Sequence, residues 1–472
     1  MILKRILSYW TPKAPLLFVY MLQQVGYEAD KFALWVFSLP SLHKLQRRGQ
    51  LQRTKRAAVS VVISYLGWSL PIIMAIWLSI QSGQAVWLGL MLLAPLSSIT
   101  LLSLVSVGLQ VGFVDPRFRQ TARNAEAKLD LSSATRIAVL GSYGKSTMKE
   151  LLLAVLSEKY NTAATPENKN VLVSQARWVM ELSGKEEILI FEFGEARPGD
   201  IARMARLSSP EYAVVTGLAP AHLDDYGSLE TIAADFAEIS AYAKSGIFVN
   251  AEAPELTQWF GEVHQYSFAG VDGWSISDVQ ATLEGTDFLM QKHQRSVTVH
   301  SPLIGLHQVG PLATAVALGA QLGLDDAQLG AGIAKAQRVQ HRLDPYQLGG
   351  AWIIDDTYNG NIEGARAGLQ FLSELAVQGK KMYVTPGLVE QGMLTEQVHH
   401  ELGTLIAAAQ PDRVVLMRHS VTPYIQAGLD EAGYRGELLL EDNPLQFYQN
   451  LESYVAAGDV VLLQNDWPDS YR

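Results

Sequence analysis

The stretch Arg136-Ile137-Ala138-Val139-Leu140-Gly141-Ser142-Tyr143-Gly144-Lys145-Ser146-Thr147 decides how this chain is read. Arg136–Leu140 is a short apolar run of strand type, and a helical pattern follows from Met148 to Leu156. Between them lie two glycines, a lysine, two serines, a threonine and a tyrosine. Strand, glycine loop and helix in that order make a phosphate loop. The glycines let backbone N–H groups close around an anion and the helix N-terminus favours negative charge. Lys145 would reach the terminal phosphate and a hydroxyl would ligate magnesium. The usual Walker pattern wants a further glycine upstream, where Val139 stands. On these residues alone, a helix-capping turn is the competing reading.

Downstream, polar groups sit at the ends of apolar runs. Ile188–Phe193 is a strand candidate carrying Glu192, and Tyr212–Thr216 leads into Ala221-His222-Leu223-Asp224. A carboxylate and an imidazole at the ends of neighbouring parallel strands suit a metal ion beside the phosphates. Taken singly, Glu192 equally suits a strand-end surface position and His222 a helix cap.

Upstream, the apolar residues are concentrated. No Asp, Glu, Lys, Arg or His occurs from Ala57 to Val114. A spanning helix needs roughly 20 apolar residues, so the stretch accommodates two, about 57–80 and 85–112, joined at Gln81-Ser82-Gly83-Gln84. Lys44, Arg47, Arg48, Arg53, Lys55 and Arg56 precede it, and Arg117, Arg119 and Arg123 follow. By the positive-inside rule both ends lie in the cytoplasm, which predicts a multi-pass protein of the cytoplasmic membrane with its soluble part inside the cell. The alternative is a buried soluble hairpin. Ala14–Leu22 and Phe32–Leu39 are shorter apolar runs of the kind that lie at a membrane interface.

The chain has 472 residues, too many for one ordinary core. Its net charge of −10 argues against a nucleic-acid binder, which needs a basic face. No cysteine is present, so disulfides, thiolate nucleophiles and Cys-ligated zinc are excluded. Near the C-terminus, the apolar strands Ala351–Ile354, Lys381–Thr385, Arg413–Met417 and Asp459–Leu463 alternate with helical stretches such as Glu363–Leu375. That alternation argues for a parallel sheet. The predicted fold is α/β in three parts. Residues 1–125 are a membrane module containing the transmembrane hairpin. Residues 126–343 are a P-loop central ATPase domain with a β-rich stretch near Val263–His300, and residues 344–472 are a smaller Rossmann-like α/β domain.

Several further stretches carry a family resemblance. Gly141–Thr147 with Lys149-Glu150 resembles the ATP loop of the Mur ligases, which lack the upstream glycine. Thr165, Asn168 and Asn170 resemble the family's Thr/Asn segment. Phe191-Glu192-Phe193-Gly194 and Pro198-Gly199-Asp200-Ile201 resemble its next stretch, and Ala221-His222-Leu223 with Gly227-Ser228-Leu229-Glu230 the one after. Gly305 and His307, His341-Arg342-Leu343, and Asp355-Asp356-Thr357-Tyr358-Asn359-Gly360-Asn361 complete the order. The branch most resembled adds D-alanyl-D-alanine to a UDP-MurNAc-tripeptide.

The resemblance implies an ATP-dependent, ADP-forming ligase that activates a carboxylate as an acyl phosphate and joins it to an amine in peptidoglycan precursor synthesis. It implies ATP bound by Gly141, Ser142, Tyr143, Gly144, Lys145, Ser146 and Thr147, between the last two parts of the chain, with domain closure completing the site. Ser146 would hold a first magnesium, and Glu192 and His222 a second. Arg342 would touch the terminal phosphate, Asp356 the ribose hydroxyls, and Tyr358 and Asn359 would line the nucleotide. The implied partners are a muramoyl-peptide-like or lipid-linked carboxylate substrate, an amine such as D-alanyl-D-alanine, and other cell-wall synthesis enzymes. Another envelope carboxylate is an alternative substrate.

Three positions depart from the family. Its carbamoylated lysine, fourteen residues after the metal histidine, is Phe236 here, beside Asp235, which is a candidate to help hold the metal. The asparagine near adenine is Pro311, with Gln308 beside His307. The K-G-S-R segment is Gln464-Asn465-Asp466-Trp467-Pro468-Asp469. Membrane helices also stand where soluble members carry a UDP-binding domain. A non-catalytic, ATP-binding membrane scaffold of cell-wall synthesis is therefore the rival reading.

Overall fold

The computed structural model describes every residue except 1–8, 40–41, 43–50, 167–168, 220–222, 359, 390, 392–393 and 466–472. Lys44, Arg47, Arg48, Asn168, His222, Asn359 and Asp466–Asp469 thus lie outside the described residues. The chain forms two compact units, Met1–Gln120 and Thr121–Arg472.

In the first unit, α1 (Ala14–Gln24) and α2 (Ala29–Ser38) precede the long α3 (Lys55–Ser82). Thr54 caps α3 by accepting the Ala57 N–H at 3.1 Å, and Gly83, at φ +68°, ends it in the left-handed conformation that glycine adopts without strain. The second run differs from the uniform helix expected over 85–112. Ala85–Leu93 winds as a 3₁₀ helix, and α4 (Ala94–Leu109) starts with Pro95 in its first turn. Proline lacks an N–H and suits a helix start, so the α-helical winding begins there. A π-helical turn over Gln110–Val114 then leads into α5 (Asp115–Asp130). Both runs, of 28 and 46 residues, are long and apolar enough to cross a membrane.

These helices pair through small and hydroxyl residues. Ser64 and Ser98 hydroxyls lie 2.8 Å apart, and a Cβ on Gly67 would come within 2.8 Å of the Ser98 Cα. The two short N-terminal runs pack on this hairpin. Phe18, Met21, Leu22, Phe32 and Val36 are buried in one cluster with Ile99 and Leu102, and the Ser64 hydroxyl donates to the Pro15 carbonyl at 2.9 Å. Outward faces stay apolar, with Ile73, Trp77, Ile80 and Leu104 exposed.

The second unit is built on two sheets. The larger has ten strands in the order β10-β9-β8-β7-β6-β5-β4-β1-β3-β2. β1 (Thr135–Leu140), β2 (Thr162–Ala164), β3 (Ile188–Glu192), β4 (Tyr212–Val215), β5 (Gly246–Asn250) and β6 (His264–Ser267) pair in parallel. The strands β7 (Gly270–Val271), β8 (Trp274–Ala281), β9 (Thr286–Lys292) and β10 (Arg295–Ser301) continue it antiparallel. That antiparallel extension is the polar β-rich stretch of the sequence. The helix α6 (Lys145–Leu156) buries Met148, Leu151, Leu152, Val155 and Leu156, an i, i+3, i+4, i+7, i+8 stripe. It packs into one core with Ile137, Val139, Ile190 and Val214. Each such fully buried aliphatic side chain contributes about 1.5–3 kcal/mol.

The smaller sheet has the order β11-β12-β16-β13-β14-β15. It comprises β11 (Asp344–Leu348), β12 (Ala351–Asp356), β13 (Lys381–Thr385), β14 (Arg413–Met417), β15 (Glu437–Glu441) and β16 (Val460–Gln464). Only β11 runs antiparallel; the other pairings are parallel. β12, β13, β14 and β16 match the four strands read from sequence, while the edge strands β11, mostly polar, and β15, three leucines between two glutamates, were not read from it.

Gly67→Val should destabilise the helix pair by about 1–3 kcal/mol through overpacking. Gly108→Val is the control, because a Cβ there meets nothing within 4 Å. Thermal unfolding in detergent checks this, and equal melting of the two variants would contradict the close approach.

Candidate functional site

Strand register brings the candidate residues to one edge. Val139 pairs with Glu192 on β3 and Leu140 with Val215 on β4, so three parallel strands end side by side where the Gly141–Thr147 loop begins. Gly141 has φ +139°, and a Cβ there would lie 2.3 Å from the Thr216 hydroxyl oxygen. Only glycine fits that approach. Gly144, at φ +73°, caps the start of α6, whose first backbone N–H groups point into the loop as an anion site. The loop is held from β4, with the Ser142 N–H donating to the Gly217 carbonyl at 2.9 Å and the Thr216 hydroxyl donating to the carbonyls of Leu140, at 3.1 Å, and Tyr143. Asn250, at the end of β5, donates to the Thr216 carbonyl at 2.9 Å.

Charges alternate along this edge. The Ser146 hydroxyl donates to Glu192 Oε1 at 3.1 Å, and the Lys149 ammonium pairs with Glu192 Oε2 at 3.3 Å. Lys145 Nζ donates to both carboxylate oxygens of Glu195, at 3.1 and 2.9 Å, and to the Gly141 carbonyl. The Glu192 N–H donates to the Thr165 hydroxyl at 2.9 Å, and the Gly194 N–H to the Asn170 carbonyl at 2.7 Å. The segment that follows β2 therefore holds the Glu192 turn. Glu195 was not among the residues singled out from sequence. Its signal was a second carboxylate three residues after Glu192, just past a strand end.

The opposite wall comes from the start of the smaller sheet. His341-Arg342-Leu343 is clasped to Asp355-Asp356-Thr357. His341 Nδ1 lies 2.7 Å from Asp355 Oδ2, the Leu343 N–H donates to Asp356 Oδ1 at 3.2 Å, and the Tyr358 N–H donates to the His341 carbonyl at 3.0 Å. His341 and Leu343 both adopt positive φ, +62° and +45°, strain of order 1–3 kcal/mol each that the clasp holds in place. The Arg342 guanidinium lies 4.7 Å from the centroid of the Tyr358 ring.

Together these walls enclose a cavity of about 340 Å³ lined by Tyr143, Gly144, Thr147, His307, Arg342, Asp356 and Tyr358, among others. The volume lies in the range of small-molecule sites. His307 Nδ1 and Arg342 Nε are buried without a hydrogen-bond partner among the described residues, as is the Ser142 hydroxyl behind the loop. Orphaned donors of this kind mark where a polar ligand would bind. The structure thus brings Tyr143, Gly144 and Thr147 of the loop together with Arg342, Asp356 and Tyr358 around one cavity, while Lys145, Ser146 and Glu192 meet beside the loop and do not line it. No group of three or more metal-ligating side chains occurs among the described residues.

Burial sets the electrostatics. The Asp356 carboxyl is pushed up to about 7 by burial, against the lowering effects of Gln464, the Leu343 N–H and Arg342. Burial lowers His307 to about 4, so its imidazole is neutral at physiological pH. The Tyr143 hydroxyl is raised by burial and then by Glu363, Glu252 and Glu255, and it stays protonated. Gln464, in the segment that departs from the Mur pattern, has a structural position. It donates to Asp356 Oδ2 at 2.7 Å and accepts from the Tyr383 hydroxyl at 2.7 Å.

Phe236 is fully buried. Its neighbour Asp235, also buried, accepts from the Tyr226 hydroxyl at 2.8 Å and the Gly199 N–H at 2.7 Å. The Asp235 carboxyl is raised chiefly by burial, with Tyr226 and backbone N–H groups opposing. Asp235 is thus engaged as a structural acceptor, tying the turn before α7 (Asp200–Ser208) to α8 (Leu229–Ala237).

Residues 139–319 match the Mur ligase middle domain. The chain is 32% identical over 288 residues to the UDP-N-acetylmuramoyl-tripeptide–D-alanyl-D-alanine ligase of Escherichia coli, covering 59% of this chain and 63% of that one. It is 29% identical over 305 residues to the enzyme of the same name from Bacillus subtilis, covering 64% and 66%. The alignments therefore span a little under two thirds of these relatives. Among solved structures, the MurF ligase of Thermotoga maritima in complex with ADP superposes with a TM-score of 0.63 at 25% identity, covering 74% of this chain and 80% of that one.

The raised Asp356 carboxyl has a stability signature. Its folded value lies above the unfolded one, so its contribution is fully present below about pH 4 and is lost as pH rises through about 7. The stability of wild type minus that of Asp356→Asn should therefore fall between about pH 4 and pH 8. Chemical denaturation across that range measures it, and a pH-independent difference would contradict the assignment.

Proposed function

We propose that this chain, whose residues 139–319 match the Mur ligase middle domain, is an ATP-dependent, ADP-forming amide ligase of peptidoglycan precursor synthesis, of the D-alanyl-D-alanine-adding type. One observation carries this reading. The phosphate loop, through Tyr143, Gly144 and Thr147, lines the cavity that Arg342, Asp356 and Tyr358 line from the other wall, and Lys145, Ser146 and Glu192 meet beside that loop. ATP and magnesium, when bound, supply a transferable phosphoryl group and the cation that neutralises it.

The chain's own residues bind and orient these groups. The Gly141–Thr147 backbone and α6 N-terminus hold phosphate oxygens, and Lys145 adds a point charge. Ser146 would hold a first cation, and Glu192, 3.1 Å from its hydroxyl, would hold a second together with His222. Arg342, stacked on Tyr358, reaches the terminal phosphate from across the cavity. Asp356 would meet the ribose hydroxyls, and Tyr358 would line the nucleotide, a role also proposed for Asn359. Neutral His307, next to Gln308 and Pro311, offers hydrogen-bonding edges and apolar surface to a base.

We carry the three-part division at 125/126 and 343/344 as part of this proposal. The two apolar runs anchor the protein as a hairpin in the cytoplasmic membrane. The basic residues flanking them keep the ligase domains in the cytoplasm. An anchored ligase fits a carboxylate substrate presented at the membrane, muramoyl-peptide-like or lipid-linked, with D-alanyl-D-alanine as the amine.

A second reading, a non-catalytic ATP-binding scaffold of cell-wall synthesis, is favoured by Phe236. Its ring is buried and cannot ligate a metal, and Asp235 beside it is already engaged.

Phosphate release by the detergent-purified protein separates the two. The ligase reading predicts release that needs ATP, UDP-MurNAc-tripeptide and D-alanyl-D-alanine together. It predicts a loss of at least about a hundredfold in Lys145→Ala, the scale of removing one transition-state charge contact. Nucleotide binding with no release from any substrate pair supports the scaffold instead.

A further inference from the structure

Lys145, the cation of the phosphate loop, is already occupied. Both oxygens of the Glu195 carboxylate accept from its ammonium, at 3.1 and 2.9 Å, while the Gly141 carbonyl takes it from the loop side. The Glu195 side chain is 3% exposed and that of Lys145 14%, so water screens this pair weakly. The neighbouring carboxylate is not free to take over. Glu192 accepts from the Ser146 hydroxyl and pairs with Lys149, whose side chain is 1% exposed. Each carboxylate of this edge thus has its own cation, and Glu195 holds the one that a phosphate would need. A carboxylate offering two oxygens to an ammonium presents the same chemistry as two oxygens of a terminal phosphate.

We infer that Glu195 is an internal competitor for Lys145, so that a nucleoside di- or triphosphate binds by exchanging its phosphate for the Glu195 carboxylate. The inference rests on the nucleotide reading of the loop. In the ion-paired state Lys145 does not face a ligand, and the apparent affinity is reduced by the fraction of molecules in which the pair is open. The exchange also leaves Glu195 without its counter-ion in a buried place, which opposes binding unless a cation enters with the nucleotide. Glu195 therefore makes the site favour a nucleotide that arrives with its divalent cation over the free one. It acts through Lys145 and is a positioning residue.

Calorimetric titration with ADP tests this, first with magnesium and then in a chelator. Wild-type protein should bind ADP with magnesium and Lys145→Ala should lose that binding; failure of the wild type to bind would overturn the nucleotide reading and this inference with it. In the chelator, Glu195→Gln and Glu195→Ala should each bind ADP about tenfold more tightly than wild type, because no pair has to open. Wild type binding normally with magnesium, while both folded variants bind equally or more weakly in the chelator, would overturn the exchange alone. A crystal structure of the wild-type protein with ADP tests the same exchange without any variant. Lys145 and Glu195 should part beyond ion-pair distance, and an intact pair beside bound ADP would refute the proposal.

Discussion

Three parallel strands end together at the carboxyl edge of the larger sheet, and every other feature of the site depends on that register. Pairing Val139 with Glu192 and Leu140 with Val215 sets the phosphate loop between a carboxylate on one side and Thr216 on the other. The buried stripe of α6 fixes the helix whose N-terminus faces the loop. A slip of one residue would turn Glu192 to the opposite face of the sheet and leave Lys149 buried without its carboxylate. Core packing and site chemistry are thus one constraint here.

The second constraint is charge compensation in a place with little water. Glu192, Glu195, Lys145 and Lys149 are all largely enclosed, and each has a partner of opposite sign. Across the cavity, Asp356 is buried between Arg342 and the Gln464 amide, and Arg342 rests against Tyr358. The two walls carry opposite arrangements. One is a set of enclosed ion pairs, while the other is a strained turn at His341–Leu343 held by hydrogen bonds to Asp355 and Asp356. A phosphate chain spanning both would draw on Lys145 and Arg342 together.

Much of this was legible in the sequence, for physical reasons that differ by element. The central parallel strands are buried on both faces and read as apolar runs, so β1, β3 and β4 and the loop after β1 were visible. The edge strand β11 is mostly polar, and β15 offers only three leucines between two glutamates, too short a run to stand out. The apolar stretch 57–114 was plain, but its winding was not, because the change at Ala94 follows from a single proline in an otherwise uniform segment. Glu195 was missed because its importance lies in which lysine it meets, and spacing does not reveal that. Gln464 was visible only as a departure, and its structural place, between Asp356 and Tyr383, needed the sheet order that puts β16 beside β12.

The ligase activity proposed for this site joins a carboxylate to an amine at the expense of ATP. Heavy-oxygen label placed in the carboxylate of UDP-MurNAc-tripeptide tests it most directly, with the phosphate released in the presence of D-alanyl-D-alanine analysed by mass spectrometry. Activation of the carboxylate by phosphoryl transfer predicts that one labelled oxygen appears in each phosphate formed. Release of unlabelled phosphate would mean that water, and not the carboxylate, takes the phosphoryl group, and the ligase account would be wrong.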